Sequence, residues 1–328
     1  MNNDIKKYYE HEGISQSKLK DLNLHPKYFK GRDEETEERP LSGAFLLGSA
    51  VDCKLTTPEL YDEQFAIIDV EKPTGQLGYY INRLLLGDTA EEAYNTTKAW
   101  NGGKLRDNIE KFKENFNTSG INYFNCVKKA EGKHIMSLEE KNTIDLVCES
   151  LLTSDYTKDY FQIPNGNIEI YKQYPIYWEY NDVKCKSLLD FIEINHDDKT
   201  IQPLDLKTTG DSVSYFPNSV FKYRYDIQAA FYTYAVGYSF ANTYLNEKYT
   251  ILPFKFIVES TKYPGTPEMF KCSDELLAMG INGRIRNGNF YKGFDQLITE
   301  YKWHLKNDKW DYKMDTYLNN GETLLTVN

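Results

Sequence analysis

An α/β fold, with a small mixed central sheet, flanking helices and a helical insertion, is predicted for this 328-residue chain by three observations. The first is a pair of β-rich runs, 183–194 and 200–207, separated by the turn-forming Asn195-His196-Asp197-Asp198-Lys199 and therefore read as a hairpin. The second is the stretch from Tyr225 to Ala235, where Ile227, Phe231 and Tyr234 share one stripe at helical spacing. The third is Ser137-Leu138-Glu139-Glu140, a capping box that starts a helix running to about Leu152.

In chain order, 15–29 and 43–57 read as helices around the polar linker Arg32 to Pro40, expected to be an exposed connector. From Lys72 to about Ala130 the pattern is helical but irregular, with Gly102-Gly103 breaking it before a helix over Leu105 to Phe116. The capping-box helix follows, then a strand from Gln173 to Trp178, the hairpin, a helix over 219–241 and a strand from Phe254 to Ser260. Hairpin and strands make the sheet, with the 219–241 helix on one side and amino-terminal helices on the other. The whole is expected to be one domain: helices in 1–70, an insertion in 71–135, the core in 136–260 and closing helices in 261–328.

Chemistry concentrates on the hairpin. Side chains on a strand alternate faces, so Asp205 and Lys207 point one way and Leu206 the other, while Asp190 comes from the neighbouring strand. Carboxylates from two adjacent elements suit a hard cation such as Mg²⁺ or Mn²⁺. Lys207 cannot be a ligand, but its ammonium can hold or deprotonate a water, or offset charge developing on a phosphate. An isolated D-x-K is more often an ordinary surface hairpin. What sharpens it is Gln228 and Tyr232, one turn apart at i and i+4 on the next helix.

An Asp, then D-x-K, then Q-x-x-x-Y on the following helix resembles the PD-(D/E)XK nucleases, in particular the exonuclease VIII-like and RecB-like branch. The resemblance implies a restriction-endonuclease-like core in which Asp190 and Asp205 ligate one or two Mg²⁺ or Mn²⁺ ions, Lys207 assists the attacking water, and Gln228 and Tyr232 hold the site and the DNA backbone. Gly13 to Lys20, running on to His25-Pro26-Lys27-Tyr28-Phe29, is similar to the family's amino-terminal helix signature, a Ser-initiated helix ending before a Pro, and Leu47 to Cys53 to its G-x-A-x-H segment, with Asp52 at the His position as a further metal ligand. Asp274 to Trp310 resembles the closing helices, so the likeness spans most of the chain except about 70–135. One departure is Gln173, where the family often has an acidic residue; Glu169, four positions earlier, is a weaker candidate. The resemblance further implies a metal-dependent exonuclease acting on double-stranded DNA ends and leaving a single strand for recombination. A single-strand annealing protein is the implied partner, a homo-oligomer the implied assembly, and the cytoplasm of a bacterial or phage-infected cell the implied location. Two other readings stay open: a structure-specific endonuclease on the same core, and a nuclease-like protein that binds DNA ends or a partner without catalysis.

Composition sets the bounds. A 40% apolar, 15% aromatic chain can bury a core. No stretch approaches a membrane span, and no apolar run follows Met1-Asn2-Asn3-Asp4. Five scattered cysteines without a C-x-x-C pair read as reduced, mostly buried thiols, and with five dispersed histidines they argue against an iron–sulfur cluster and against zinc. Lys and Arg number 39 against 49 Asp and Glu, a net charge of −10, the wrong sign for a protein that coats DNA. A nuclease needs only a local basic surface, for which Lys186, Lys222 and Arg224 are the leading candidates, with Lys184, Arg284 and Arg286 behind them. Late aromatics, Tyr291, Tyr301, Trp303, Trp310 and Tyr317, suit packing more than base stacking.

Overall fold

The computed structural model describes residues 3–34, 43–103, 105, 107–130, 132–162, 164, 166–286 and 288–322. The chain divides into two units: Met1–Arg39 with Val51–Thr57 and Leu146–Asn328, and Pro40–Ala50 with Pro58–Asp145. Where the sequence suggests one domain with an insertion over 71–135, the second unit therefore takes in more of the chain than that insertion.

The first unit is a mixed α/β structure. Its sheet runs in the order Ile168–Tyr180, Val183–Asn195, Thr200–Thr209, Lys255–Ser260, Glu268–Lys271, with the short Thr250–Ile251 also pairing to Thr200–Thr209. The first two strands are joined by Asn181-Asp182, both with positive φ (48° and 59°), the conformation of a two-residue turn whose twist matches the strands it links. The expected hairpin pairs Phe191 with Leu204 through to Asn195 with Thr200. Its loop is fixed by Asn195, whose side chain accepts from the backbone of Asp197 and Asp198 at 3.0 Å each. Thr200–Thr209 then lies parallel to Lys255–Ser260, a pairing that needs a crossover, and the helix Tyr225–Phe240 lies within it.

That helix has little amphipathic contrast because most of it is interior. Ile227, Ala229, Phe231, Ala235 and Val236 are fully buried, and they pack in one core with Ile192, Ile194, Ile201 and Phe256 of the sheet and with Phe254 just before its strand. Its start is anchored by Arg224, which sits in the left-handed region (φ 54°) and grips Asp226 through two 2.9 Å bonds. The helix Asp274–Asn282 approaches it closely at Gly280, where a Cβ would come within 2.1 Å of the Asp226 carbonyl oxygen.

At the amino terminus, the expected 15–29 helix is two helices, Gln16–Leu24 and Pro26–Glu34. Ser15 caps the first, and His25 is extended, as a residue before proline tends to be. The second continues through Arg32 to Glu34, so the polar connector starts later than its composition suggests; 35–40 lie outside the described residues. Gly13 is required for close approach, because a Cβ there would meet the Cys185 backbone at 2.9 Å.

The second unit is helical around Tyr80, Ile81, Ala93, Phe112 and Tyr123, with a two-stranded parallel pair, Phe65–Ile68 and His134–Ser137. The helix expected over Leu105 to Phe116 is shorter, Ile109–Asn115, because Asn108 caps it by accepting from Lys111 at 2.9 Å. The capping box at Ser137 is formed: Ser137 Oγ accepts from the Glu140 amide, and Glu140 accepts from that of Ser137. Four of the five cysteines are buried, and no helix of the described residues is long and apolar enough to cross a membrane.

Candidate active site

The site lies in the first unit, where pairing of the two hairpin strands ends at Phe191 and Leu204. Beyond that point the strands carry Asp190 and Asp205. Instead of continuing the ladder, Asp190 Oδ2 accepts from the Leu206 amide at 2.8 Å, which replaces a lost strand bond with a side-chain one. Asp205 is 2% exposed and is held from two sides. Gln228 Nε2 donates to its Oδ1 at 2.6 Å, and the Lys207 ammonium pairs with its Oδ2. Lys207 Nζ also lies 5.2 Å from the centre of the Tyr225 ring, a cation–π arrangement.

Asp52, near the end of the helix Ala44–Thr56, reaches the same region. The Gln173 side chain joins it to Asp190: Nε2 stands 3.2 and 3.0 Å from the two Asp52 oxygens and 3.3 Å from Asp190 Oδ1. The three carboxylates expected to share a cation are thus in two groups, Asp52 with Asp190 through an amide, and Asp205 with its own lysine and glutamine. Among the described residues, no three His, Cys, Asp or Glu side chains are drawn together as a ready cation cage.

Electrostatics bind the two groups together. Burial and then the charges of Asp205 and Asp52 push the Asp190 carboxyl well above the usual carboxylate range, against the opposing pull of Lys207 and the Leu206 amide. Asp52 is pushed up to about 7, by burial first and by Asp205 next. For Lys207 burial works downward, but the charges of Asp205 and Asp190 outweigh it and the net shift is upward, so its ammonium stays charged at neutral pH. Hard carboxylate oxygens, crowded until burial and mutual repulsion oppose their ionisation, are the donor chemistry that suits a divalent cation.

Tyr232 is 6% exposed, one turn along from Gln228. Burial, followed by Tyr8, Asp205 and Asp190, pushes its hydroxyl well above the ordinary tyrosine range, against an opposing pull from Gln16. It is a neutral hydroxyl beside an acidic centre.

The basic candidates separate sharply. Lys186, 6% exposed, donates to the carbonyls of Tyr8, Tyr9 and His11 at 2.7, 3.2 and 2.7 Å, which caps the carboxyl end of the helix Asn3–Glu10. Arg224 is occupied with Asp226 and with the Lys292 carbonyl at 2.5 Å. Both side chains are committed to partners within the protein, and alternating charge along a sequence does not reveal which lysine finds a helix end to cap. Lys222, Lys184 and Arg284 are exposed; the Arg286 side chain lies outside the described residues. Glu169 is engaged away from the centre, by Tyr171 at 2.5 Å and His196 at 3.0 Å. The late aromatics pack on one another and on the core: Trp310 stacks on Phe29 and His304, and Trp303 meets Tyr317.

No protein-family model matches the chain, and no curated protein does. Its fold is similar to a crystal structure from Eubacterium rectale that carries the provisional name exonuclease, at 14% identity and a TM-score of 0.46, covering 97% of this chain and 91% of that one.

One residue beside the site escapes motif reading. Lys20 donates to the Tyr223 carbonyl at 3.4 Å and lies 5.6 Å from the same Tyr225 ring that Lys207 faces. Burial, and next the charge of Lys207, lower it to about 8. No local pattern marks it. Gln173 was open to counting: from the Asn181-Asp182 turn, Tyr180 pairs with Val183, and the same register sets Gln173 opposite Asp190.

Proposed function

We propose that this chain is a divalent-metal-dependent deoxyribonuclease with a PD-(D/E)XK-type core, hydrolysing phosphodiester bonds at the ends of double-stranded DNA. The observation that carries the reading is Asp205, buried between the Gln228 amide and the Lys207 ammonium, with Asp190 on the adjoining strand. That arrangement spends two polar side chains on orienting one carboxylate, which a merely structural hairpin does not require.

Asp190 and Asp205 are the groups that would hold Mg²⁺ or Mn²⁺, and the ion supplies Lewis-acid chemistry, lowering the pKa of water and neutralising phosphate charge. The protein's own share is orientation and charge. Gln228 fixes the rotamer of Asp205 and acts as a positioning residue, since its amide is committed to that carboxylate. The Leu206 amide aims Asp190. Lys207, kept charged by its acidic neighbours, donates to a water or to a phosphate oxygen as negative charge grows on it. Tyr232, kept protonated, offers a second donor. Lys222, Lys184 and Arg284 are the exposed cations that could meet the backbone of the duplex.

The test is to incubate the purified protein with end-labelled linear duplex and with covalently closed circles, in Mn²⁺ or in chelator. Release of terminal nucleotides from linear DNA only, abolished by chelator, is expected. Nicked circles would replace the exonuclease with an endonuclease on the same core, and intact DNA under every divalent ion would reject catalysis.

A further inference from the structure

Gln173 lies in a strand yet has a φ of 45°, the left-handed region that non-glycine residues seldom enter. Strain of this kind, where it persists, is held in place by its surroundings and is common at functional sites. The distortion falls at one cross-strand step. Lys172 pairs with Phe191 and Tyr174 with Leu189, but the intervening step, Gln173 opposite Asp190, is not formed. Register resumes unchanged on both sides, so no residue has been inserted; the backbone has twisted in place. The twist coincides with the reach of the side chain, whose Nε2 lies 3.0 Å from Asp52 Oδ2 and 3.3 Å from Asp190 Oδ1.

An amide nitrogen has two hydrogens, and here they face two carboxylates. The reverse orientation would set the amide oxygen against both, so the charges themselves fix which way the amide points. We propose that Gln173 sets how many cations the site holds: its amide bars a cation from the gap between Asp52 and Asp190, leaving one ion to Asp190 and Asp205. The position of that one ion rests on the nuclease reading above. An N–H and a cation compete for the same carboxylate lone pairs, and the positive end of the amide dipole stands where a second ion would have to sit. A carboxylate at position 173 would reverse the situation, surrounding the gap with three acids whose repulsion a bound cation would relieve.

The experiment counts Mn²⁺ bound per chain, by calorimetry and by the electron paramagnetic resonance of free Mn²⁺, in wild type, Gln173→Glu and Gln173→Met, with melting curves in chelator and in Mn²⁺. Each variant is expected to bind one more ion than wild type, and Gln173→Glu to melt lower in chelator and recover with Mn²⁺. Gln173→Met, uncharged and of similar length, keeps the test decisive should Gln173→Glu fail to fold. An ion count unchanged from wild type in the folded variants overturns the inference whatever happens to Tm, because a purely structural strut would move Tm and leave the count alone. Wild type binding no Mn²⁺ while the variants bind one would overturn the placement of the first ion, and with it the nuclease reading, but would support the role of Gln173.

Discussion

Gln228 Nε2 and Asp205 Oδ1 lie 2.6 Å apart, joining a helix to a strand across 23 residues of sequence at a carboxylate that is only 2% exposed. So buried an acceptor cannot replace a lost protein donor with bulk water. Gln228→Leu is therefore expected to cost about 1–3 kcal/mol of stability, measured by urea unfolding, and to lower the cleavage rate, with Gln228→Glu no better because it sets acid against acid. A neutral result for Gln228→Leu in both measurements would detach Gln228 from the site.

Lys207→Ala removes the only cation paired with Asp205 through a salt bridge among the described residues. Breaking a buried pair from one side leaves a charge without compensation, at about 3–5 kcal/mol. The expected outcome is a lower Tm together with a fall in rate on the order of 10²–10³-fold, the cost of losing one preorganised donor to developing charge. If Tm falls while the rate per folded molecule holds, Lys207 is structural.

Lys186 and Lys222 should behave oppositely. Lys186→Met abandons three backbone carbonyls and should destabilise by about 1–3 kcal/mol without altering the salt dependence of DNA binding. Lys222→Ala, at an exposed position, should leave stability alone and reduce the slope of log affinity against log salt by about 1. Titrating labelled duplex at several salt concentrations distinguishes the two.

The pH dependence follows from Asp52, whose folded-state pKa is pushed up to about 7 by burial first and by Asp205 next. Unfolded, it releases its proton near the ordinary carboxylate value, so over the interval between them the folded chain holds a proton that the unfolded chain has lost. The stability this group contributes is complete below the ordinary value and disappears as pH rises through about 7. Asp52→Asn cannot titrate, so in chelator its Tm should climb relative to wild type between about pH 5 and 8. A constant difference across that range would show that Asp52 is not raised.

Gly280→Ala is expected to destabilise by at least about 1–3 kcal/mol, since its Cβ would stand 2.1 Å from the Asp226 carbonyl oxygen and the two helices would have to part. Asp226 is two residues from Gln228, so a matching loss of cleavage is expected. Circular dichroism melts beside the rate measurement would separate the two effects.

Much of this was legible in the amino-acid order. The hairpin around Asn195 and the helix of Gln228 follow from alternation, turn residues and helical spacing, and the capping box at Ser137 from a local hydrogen-bond pattern; each depends on neighbours in sequence. The fates of Lys186 and Arg224 depend on partners 178 residues away at Tyr8 and 68 away at Lys292, and no local pattern shows that a lysine will cap a distant helix or an arginine anchor a nearby one. The break at His25 follows from Pro26, before which a helix started by Ser15 is expected to end. Gln173 lay between these cases, since the turn at Asn181-Asp182 fixes its register while the distortion that turns its amide onto two acids arises only in three dimensions.

The most direct measurement is single-turnover cleavage of end-labelled linear duplex in Mn²⁺ by wild type, Asp205→Asn and Lys207→Ala, each shown to be folded by circular dichroism. The account expects ladders of shortened product from wild type alone, vanishing when chelator is added. Cleavage by both variants at the wild-type rate, or none by wild type with any divalent ion, would contradict it.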